Sequence, residues 1–249
     1  LSVRAGEIHG LVGANGSGKT TLLNILFGNP IIGETGGYQG EIILAGRSIS
    51  VKNCAEAIAC GIGMVHQEFA LIPAMTVGEN IKLGREHTLA STNRLFGRKY
   101  SFIDKKHDHE SARQTLMKLG IELDTNIKVM DLSMNLKQFV EIAREIDRDD
   151  LRLLILDEPT AVLNKDDGLQ LLEILREMSG RGIGILFISH RLEEVQAVCD
   201  RVSVLRDGEL VAQYEKGDIH LNQIARDMIG HIINKAETEK RASGNKPII

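Results

Sequence analysis

The chain has 249 residues, a net charge of −4 and three cysteines. This length suits one large α/β domain or one domain with an inserted lobe, and we favour the second. Lys and Arg are interspersed with acidic residues, no apolar run approaches the roughly 20 residues of a membrane span, and the cysteines fit neither a zinc site nor a disulfide framework. We therefore expect a protein of the reducing cytoplasm that has no nucleic acid partner and no segment inside a bilayer.

The hydrophobic pattern alternates between strand and helix periods, which predicts an α/β fold. Strands are predicted at residues 8–12, 41–45, 61–66, within 151–160, at 184–188 and on both sides of a turn at 207–208. Helices are predicted at residues 21–27, 55–60, 104–119, 132–146, 165–178 and 220–229. Residues 33–46 are interpreted as hairpin turns entering the second strand. The sequence opens within a strand and without a methionine, so we expect a piece of a longer protein.

GANGSGKT, residues 13–20, stands between the first predicted strand and the first predicted helix. It fits G-x-x-x-x-G-K-[ST], in which backbone N–H groups surround an anion. Gly16 and Gly18 let the backbone approach phosphates, Lys19 supplies a cation and Thr20 a hydroxyl for Mg²⁺. The segment therefore predicts binding of a nucleoside triphosphate.

Gln67 follows the strand predicted at residues 61–66. A polar amide at the carboxyl end of a strand faces the ligand crevice of an open α/β sheet. Gln67 is therefore a candidate to reach Mg²⁺ or a water molecule.

Residues 76–132 are helical in pattern and are interpreted as an inserted lobe. Within it, His107 and His109 are two residues apart on a helix and point to different faces, so we do not expect them to bind one metal ion. An amphipathic helix follows the lobe, with Ser133 predicted as its N-cap.

Two carboxylates, Asp157 and Glu158, end a nearly continuous apolar strand of the buried parallel kind. Asp157 at the strand tip can bind Mg²⁺, and Glu158 can orient or deprotonate the water that attacks a γ-phosphate. His190 ends a second such strand and is a candidate for a γ-phosphate contact.

NKDD at residues 164–167 matches the guanine-reading motif N-K-x-D, but no apolar strand directly precedes it. The simpler interpretation is a helix N-terminus, with Asn164 as N-cap and Asp166 and Asp167 in the first turn, where the helix dipole favours acidic residues. We therefore do not expect a GTPase.

In order along nearly the whole chain, these motifs resemble those of the ATP-binding cassette (ABC) family. GANGSGKT resembles the family's Walker A, Gln67 its Q-loop, LSMNLKQ at 132–138 its signature, LLILDEPT at 153–160 its Walker B, AVLN at 161–164 its D-loop and His190 its switch histidine. The resemblance implies the P-loop NTPase fold of an ABC nucleotide-binding domain, with a mostly parallel core sheet, antiparallel β-strands and an inserted α-helical lobe.

The resemblance also implies a role for each matching residue. The ATP-binding residues would be those of the Walker A and signature motifs: Gly13, Asn15, Gly16, Ser17, Gly18, Lys19, Thr20, Thr21, Ser133 and Asn135. Mg²⁺ would be bound by Thr20, Gln67 and Asp157, and the catalytic residues would be Glu158, His190 and Gln67.

The segments MVHQEFALIPAMTVGENIKLGRE, FVEIARE and ISHRLEEV look most like the first half of tandem cassette ATPases in ribose, galactose and xylose importers. The resemblance implies two head-to-tail cassettes with two ATP molecules between them, each bound by the Walker A of one cassette and the signature of the other. The expected partners are a second cassette in the C-terminal half of the same parent chain, integral membrane permease subunits and, indirectly, a solute-binding protein. The expected location is the cytoplasm, peripheral on the inner face of the plasma membrane.

Two other functions stay open at this point. A soluble ABC ATPase of DNA repair or translation usually carries a coiled-coil insertion or a basic linker, and this chain has neither. A regulatory cassette that binds nucleotide without hydrolysing it is disfavoured by the presence of Lys19, Asp157, Glu158 and His190.

The chain departs from the family pattern in three places. Met134 and Asn135 stand where the signature LSGGQ has two glycines, and Asn164 stands where the D-loop usually has Asp. The adenine-stacking aromatic is expected ahead of residue 1. Because Asn135 adds a side chain where Gly permits the closest approach to phosphate, we expect the site that borrows this signature to be weakened.

The expected organisation has two core segments around the lobe and a charged, linker-like tail. The core with Walker A and the Q-loop is assigned to residues 1–75, and the lobe ending in the signature to 76–135. The core with Walker B, the D-loop and His190 is assigned to 136–230, and the tail to 231–249.

Overall fold

A computed structural model describes residues 1–97 and 100–230 of the chain. The strands are β1 (Ile8–Val12), β2 (Ile42–Leu44), β3 (Arg47–Ile49), β4 (Ile62–Val65), β5 (Leu153–Asp157), β6 (Gly184–Ile188), β7 (Arg201–Arg206) and β8 (Glu209–Glu215). The helices are α1 (Lys19–Leu26), α2 (Pro30–Glu34), α3 (Cys54–Ala59), α4 (Val77–Lys82), α5 (Ala90–Phe96), α6 (Lys105–Lys118), α7 (Met134–Ile146), α8 (Lys165–Gly180), α9 (Leu192–Val198) and α10 (Leu221–Ile229).

Six strands form one sheet in the order β4-β5-β6-β1-β7-β8. The neighbours from β4 to β7 are parallel, and β8 pairs antiparallel with β7. β2 and β3 form a separate antiparallel hairpin. The predicted mostly parallel sheet with additional antiparallel strands is thereby confirmed.

The central strands are covered on both faces, which explains their continuous apolar sequences. In β5, Leu154 and Leu156 belong to one core and Ile155 to the other, and all three are fully buried. This follows from the alternation of successive side chains across a strand. The first core includes Leu171 of α8, and the second includes Leu23 of α1. The sheet is therefore the middle of three layers.

The segment between β4 and α7 is helical, as predicted, and it begins with a capping box. The Thr76 hydroxyl accepts a hydrogen bond from the Glu79 N–H, and the Glu79 carboxylate accepts one from the Thr76 N–H. Asp104 caps α6 by accepting from the N–H of His107. No helix within the described residues is long and apolar enough to cross a membrane.

A buried ionic junction joins three helices of this region. The Lys82 ammonium at the end of α4 donates to both oxygens of Asp147, at 2.8 and 2.9 Å, and Thr115 of α6 donates to the same carboxylate at 2.8 Å. Asp147 directly follows α7, and both charged side chains are about 5% exposed. α4, α6 and α7 are thereby fixed to one another at a single carboxylate.

The sequence analysis missed or misread two features. Helix α2 was not predicted, and its last two residues, 33–34, were interpreted as part of the hairpin turns, although Asn29 caps the helix and Pro30 opens it. Ser133 stands at the N-cap position of α7, as predicted. Its side chain makes no capping hydrogen bond, so the predicted capping interaction is wrong. The tail at 231–249 lies outside the described residues.

We predict that Asp147→Ala lowers the free energy of unfolding by about 3 kcal/mol, because it leaves the Lys82 charge buried without its partner. Urea denaturation followed by circular dichroism measures the change. Glu110→Ala is the matched control, since Glu110 forms a pair of the same chemistry with Arg113 on the exposed surface of α6, where solvent screens it. Equal effects of the two substitutions would contradict the assignment of the junction.

Candidate functional site

Four adjacent parallel strands end at one edge of the sheet, and a residue predicted to act in catalysis or binding lies at or just after the end of each. Lys19 follows β1, Gln67 follows β4, Asp157 ends β5 and His190 follows β6. Parallel strands present their carboxyl ends on the same side, so these residues converge on one crevice. Gln67 and His190 are exposed, whereas Asp157 and Lys19 are half-buried.

The loop between β1 and α1 has the backbone that its glycines were expected to supply. Gly16 and Gly18 have φ of 81° and 100°, in the left-handed region that favours glycine. Gly13 is required for a different reason: a Cβ there would lie 2.3 Å from the carbonyl oxygen of Leu205 and 2.5 Å from the hydroxyl oxygen of Ser17. Asn15, Thr20 and Thr21 are exposed along the same loop and helix start.

The β7–β8 turn supports this loop. The N–H of Gly208 donates to the carbonyl oxygen of Ser17 at 3.0 Å. Asp207 and Gly208 both have positive φ, as a two-residue hairpin turn requires, which confirms the predicted turn. Ser17 is buried beneath the loop, so the loop is fixed from below by a hairpin turn whose Gly208 lies 191 positions later in the sequence.

Lys19 lies over the loop, where its ammonium donates to the carbonyl oxygens of Gly13 at 2.7 Å and Ala14 at 3.1 Å. Burial lowers the pKa of Lys19, and the nearby carboxylates of Glu158 and Asp157 act in the opposite direction. The pKa of Asp157 is raised, first by burial and then by the Glu158 carboxylate, with Lys19 opposing both. One cation and two carboxylates therefore interact electrostatically across the crevice.

Glu158 has φ of 51°, a strained conformation for a residue other than glycine. Its N–H donates to the carbonyl oxygen of Ile188 at 2.9 Å, which extends the pairing of β5 with β6 by one step. The carboxylate oxygen Oε2 lies 3.2 Å from Nδ1 of His190. The strained residue thus brings its carboxylate to the histidine.

A glutamate that the sequence did not single out connects the two loops that carry Glu158 and His190. Oε2 of Glu194, on α9, accepts hydrogen bonds from the Thr160 hydroxyl at 2.6 Å and the Ser189 hydroxyl at 3.2 Å. These donors follow β5 and β6 respectively. Glu194 therefore fixes the relative positions of the catalytic candidates, although within the segment ISHRLEEV the sequence singled out only His190.

Ser133 and Asn135, the remaining predicted binding residues, lie at the start of α7. The Ser133 hydroxyl donates to Oδ1 of Asn135, and Nδ2 of Asn135 donates to a carboxylate oxygen of Asp167 at 2.9 Å. Within the described part of the chain, no hydrogen bond or ion pair joins either residue to the loop at 13–20. Their side-chain hydrogen bonds join them to one another and to α8 instead.

Helix α7 also holds the segment after Gln67. The buried Glu141 carboxylate accepts from the N–H of Ala70 at 3.0 Å, and the Arg144 guanidinium donates to the carbonyl oxygen of the same residue at 2.6 Å. Burial raises the pKa of Glu141 to about 7, against the opposing effects of the Ala70 hydrogen bond and the Arg144 cation. A charged residue on the apolar face of a predicted helix was the signal that could have identified this contact.

The family model described as ABC transporter matches residues 1–161, and the chain belongs to this family. A crystal structure of MJ1267, an ATP-binding cassette of an ABC transporter in its ADP conformation, superimposes with a TM-score of 0.73 at 26% identity, covering 93% of this chain and 91% of that one. The predicted P-loop NTPase fold of an ABC cassette is confirmed.

Two relatives are more similar in sequence. Ribose import ATP-binding protein RbsA 1 of Rubrobacter xylanophilus is 38% identical over 98% of this chain and 46% of its own length. Xylose import ATP-binding protein XylG of Geobacillus kaustophilus is 37% identical over 94% of this chain and 44% of its own length. The chain thus spans less than half of the length of these relatives.

We predict that Glu141→Gln changes stability in a pH-dependent way. The folded-state pKa of Glu141 is raised to about 7, above the ordinary 4.5, so the folded protein binds this proton more tightly than the unfolded chain. Ionisation therefore removes stability as pH rises from about 4.5 to about 7, by about 3 kcal/mol in total. Urea denaturation should show the variant gaining stability relative to wild type over this range.

The control is Glu173→Gln, which removes a carboxylate from the exposed face of α8. Its stability relative to wild type should stay constant over the same range. If the Glu141→Gln difference is also independent of pH, Glu141 ionises in the fold as freely as in the unfolded chain.

Proposed function

We propose that this chain is an ATP-binding and ATP-hydrolysing cassette that powers import of a sugar across a membrane, as half of a tandem ATPase. The observation that carries the proposal is the convergence of Lys19, Asp157, Glu158 and His190 at one edge of the sheet, beside a loop with the backbone of a phosphate site. Membership in the ABC transporter family supports the same conclusion.

The triphosphate would be bound by the loop at 13–20 and the first turn of α1. Successive backbone N–H groups and the positive end of the helix favour an anion there. The Lys19 ammonium would exchange its bonds to the Gly13 and Ala14 carbonyl oxygens for bonds to phosphate oxygens, which carry full negative charge. The side chains of Asn15, Thr20 and Thr21 are exposed and free to face the nucleotide.

A magnesium ion fits the residues proposed to bind it. Thr20, Gln67 and Asp157 offer a hydroxyl, an amide and a carboxylate oxygen, the hard donors that Mg²⁺ prefers. Asp157 is half-buried beside a second carboxylate, an arrangement that a cation would stabilise. Among residues 1–97 and 100–230, no three His, Cys, Asp or Glu residues cluster to hold a metal on their own, so phosphate oxygens would complete the shell. When bound, the ion would neutralise charge developing on the phosphates.

Hydrolysis would depend on the loops after β5 and β6. The Glu158 carboxylate would orient or deprotonate the attacking water, and His190, 3.2 Å from it, would contact the γ-phosphate. Gln67 would contact Mg²⁺ or the water from the neighbouring strand. The strained backbone of Glu158 and the bonds made by Glu194 favour a preorganised arrangement.

The second half of each ATP site would come from another cassette. Ser133 and Asn135 lie at the start of α7 and bond to one another and to α8 rather than to the loop at 13–20, which suits residues that bind the ATP of a partner cassette. We assign the segments 1–75 and 136–230 to the nucleotide-binding core, 76–135 to the lobe and 231–249 to a linker. The other partners would be membrane permease subunits and, indirectly, a solute-binding protein, with the cassette on the cytoplasmic face of the plasma membrane.

The solute class rests on the relatives. Those compared above are named for ribose and xylose import, and a third, of Haloferax volcanii, for glucose import at 36% identity. These names favour a monosaccharide importer over the soluble cassettes of DNA repair or translation.

We predict that Lys19→Ala weakens ATP binding at least tenfold, about the effect of losing one charge-assisted contact to phosphate. Equilibrium titration with ATP and Mg²⁺ measures the affinity. Lys118→Ala, which removes an exposed ammonium at the end of α6, should leave it unchanged. Unchanged affinity in the Lys19 variant would remove the loop from the binding site.

We predict that Glu158→Gln retains ATP but hydrolyses it at least 100-fold more slowly, because the amide preserves shape and loses the base. Single-turnover assays of the assembled transporter measure the rate, with Glu173→Gln as a control for the loss of a carboxylate. His190→Ala should likewise reduce turnover more than binding. A wild-type rate in the Glu158 variant would assign the catalytic role to another residue.

A further inference from the structure

Two of the residues at which this chain departs from the family pattern meet at one carboxylate. Nδ2 of Asn135, in the signature, donates to Oδ2 of Asp167 at 2.9 Å, and Nδ2 of Asn164, in the D-loop, donates to the same oxygen at 2.8 Å. Asn135 and Asn164 are 29 positions apart in sequence. Their side chains are therefore joined through a third residue that lies outside the ABC motifs matched above.

Asp167 is a rigid support for this contact. It lies in the first turn of α8, a 16-residue helix whose other face is buried in the core at Leu171 and Leu175. The N–H of Asp167 donates to Oδ1 of Asn164 at 2.9 Å, so Asn164 both caps the helix and orients the carboxylate. The Asp167 carboxylate is thereby held towards α7.

The other end of the Asn135 amide is also occupied, because its Oδ1 accepts from the Ser133 hydroxyl. An amide has one acceptor and one donor group, and here each is bound within the same cassette. The bond to Asp167 is charge-assisted and therefore the stronger restraint. Asn135 is half-buried against α8, while Ser133 and Met134 beside it are exposed.

We propose that Asp167 is a positioning residue for the signature loop. It holds the Asn135 amide against α8, so that the added side chain does not cover the loop surface that meets the phosphates of a partner cassette's ATP. This rests on the proposed function, in which that surface binds nucleotide. Without Asp167 the amide rotates over the surface and competes with phosphate for the backbone N–H groups.

A purely structural role for Asp167 makes a different prediction. A carboxylate in the first turn of a helix stabilises it through the helix dipole, whatever residue occupies position 135. A positioning role requires Asn135, because glycine at that position has no side chain to hold. The two roles therefore differ in whether the effect of removing Asp167 depends on residue 135.

The test compares Asp167→Ala in two backgrounds of the assembled transporter, with Asn135 and with Asn135→Gly. With Asn135, the apparent KM for ATP should rise about tenfold with a smaller change in kcat, a size typical of coupling within one hydrogen-bond network. With Asn135→Gly, Asp167→Ala should change KM less than about twofold. Asp167→Asn keeps an acceptor oxygen and should restore a KM near wild type.

Two further measurements distinguish the positioning role from a general effect of losing a carboxylate in this turn and from an effect on hydrolysis. Asp166→Ala removes the preceding, exposed carboxylate of the same turn and should leave KM unchanged. The side-chain amide signals of Asn135 in an NMR spectrum of the chain should shift in Asp167→Ala and stay near wild type in Asp167→Asn. This signal reports the contact itself and does not require ATP hydrolysis.

Equal effects of Asp167→Ala on KM in both backgrounds, or an effect on the free energy of unfolding alone, would overturn the positioning role. Unmoved Asn135 amide signals would also overturn it. By contrast, a wild-type transporter that does not hydrolyse ATP, or one in which Glu158→Gln has no effect, would overturn the proposed function, and the positioning role would fall with it.

Discussion

The pairing of β5 with β6 is the constraint on which the candidate site depends. Asp157 pairs with Ile188, and the next residue, Glu158, continues the ladder through its own N–H to the Ile188 carbonyl oxygen. A one-residue shift of register would reverse the face of the sheet to which the Asp157 carboxylate points and would displace Glu158 from Ile188. The left-handed conformation of Glu158 is tolerated because the surrounding structure restrains its backbone. The restraints are the hydrogen bond to Ile188, the ring of the following Pro159, and the bonds of Glu194 to the hydroxyls of Thr160 and Ser189.

Helix α7 connects this edge of the sheet to the rest of the molecule. Its first turn is joined to α8 through Asn135, its middle holds Ala70 through Glu141 and Arg144, and its end meets the helical segment through Asp147. One element of 13 residues therefore contacts three separate parts of the chain. A displacement of α7 as a rigid body would reach all of them at once, because helices transmit strain with little internal deformation.

Sequence reasoning succeeded where the chemistry is local. The phosphate loop, the Asn164 cap and the turn at Asp207 are each encoded by a few consecutive residues. It failed for partners distant in sequence, such as the bonds of Glu194 to Thr160 and of Glu141 to Ala70. The position of Glu141 on an apolar helix face indicates a buried polar partner, but neighbouring residues do not specify which one. The Ser133 cap failed for a different, local reason: the hydroxyl is oriented to donate to the Asn135 amide two residues on, and it accepts no N–H of the helix.

The asparagine at position 164 has a physical explanation in the same network. An aspartate there could still cap α8 by accepting from the Asp167 N–H, but it would bring a second negative charge against the Asp167 carboxylate and offer no donor. Asparagine accepts at Oδ1 and donates at Nδ2, so one side chain satisfies both groups of Asp167. Oδ2 of Asp167 has further lone pairs, and it accepts a second hydrogen bond from Nδ2 of Asn135. The two departures from the family pattern are therefore complementary. Asn135 and Asn164 each donate a hydrogen bond to the Asp167 carboxylate, whereas a glycine at position 135 and an aspartate at position 164 would offer it no side-chain donor.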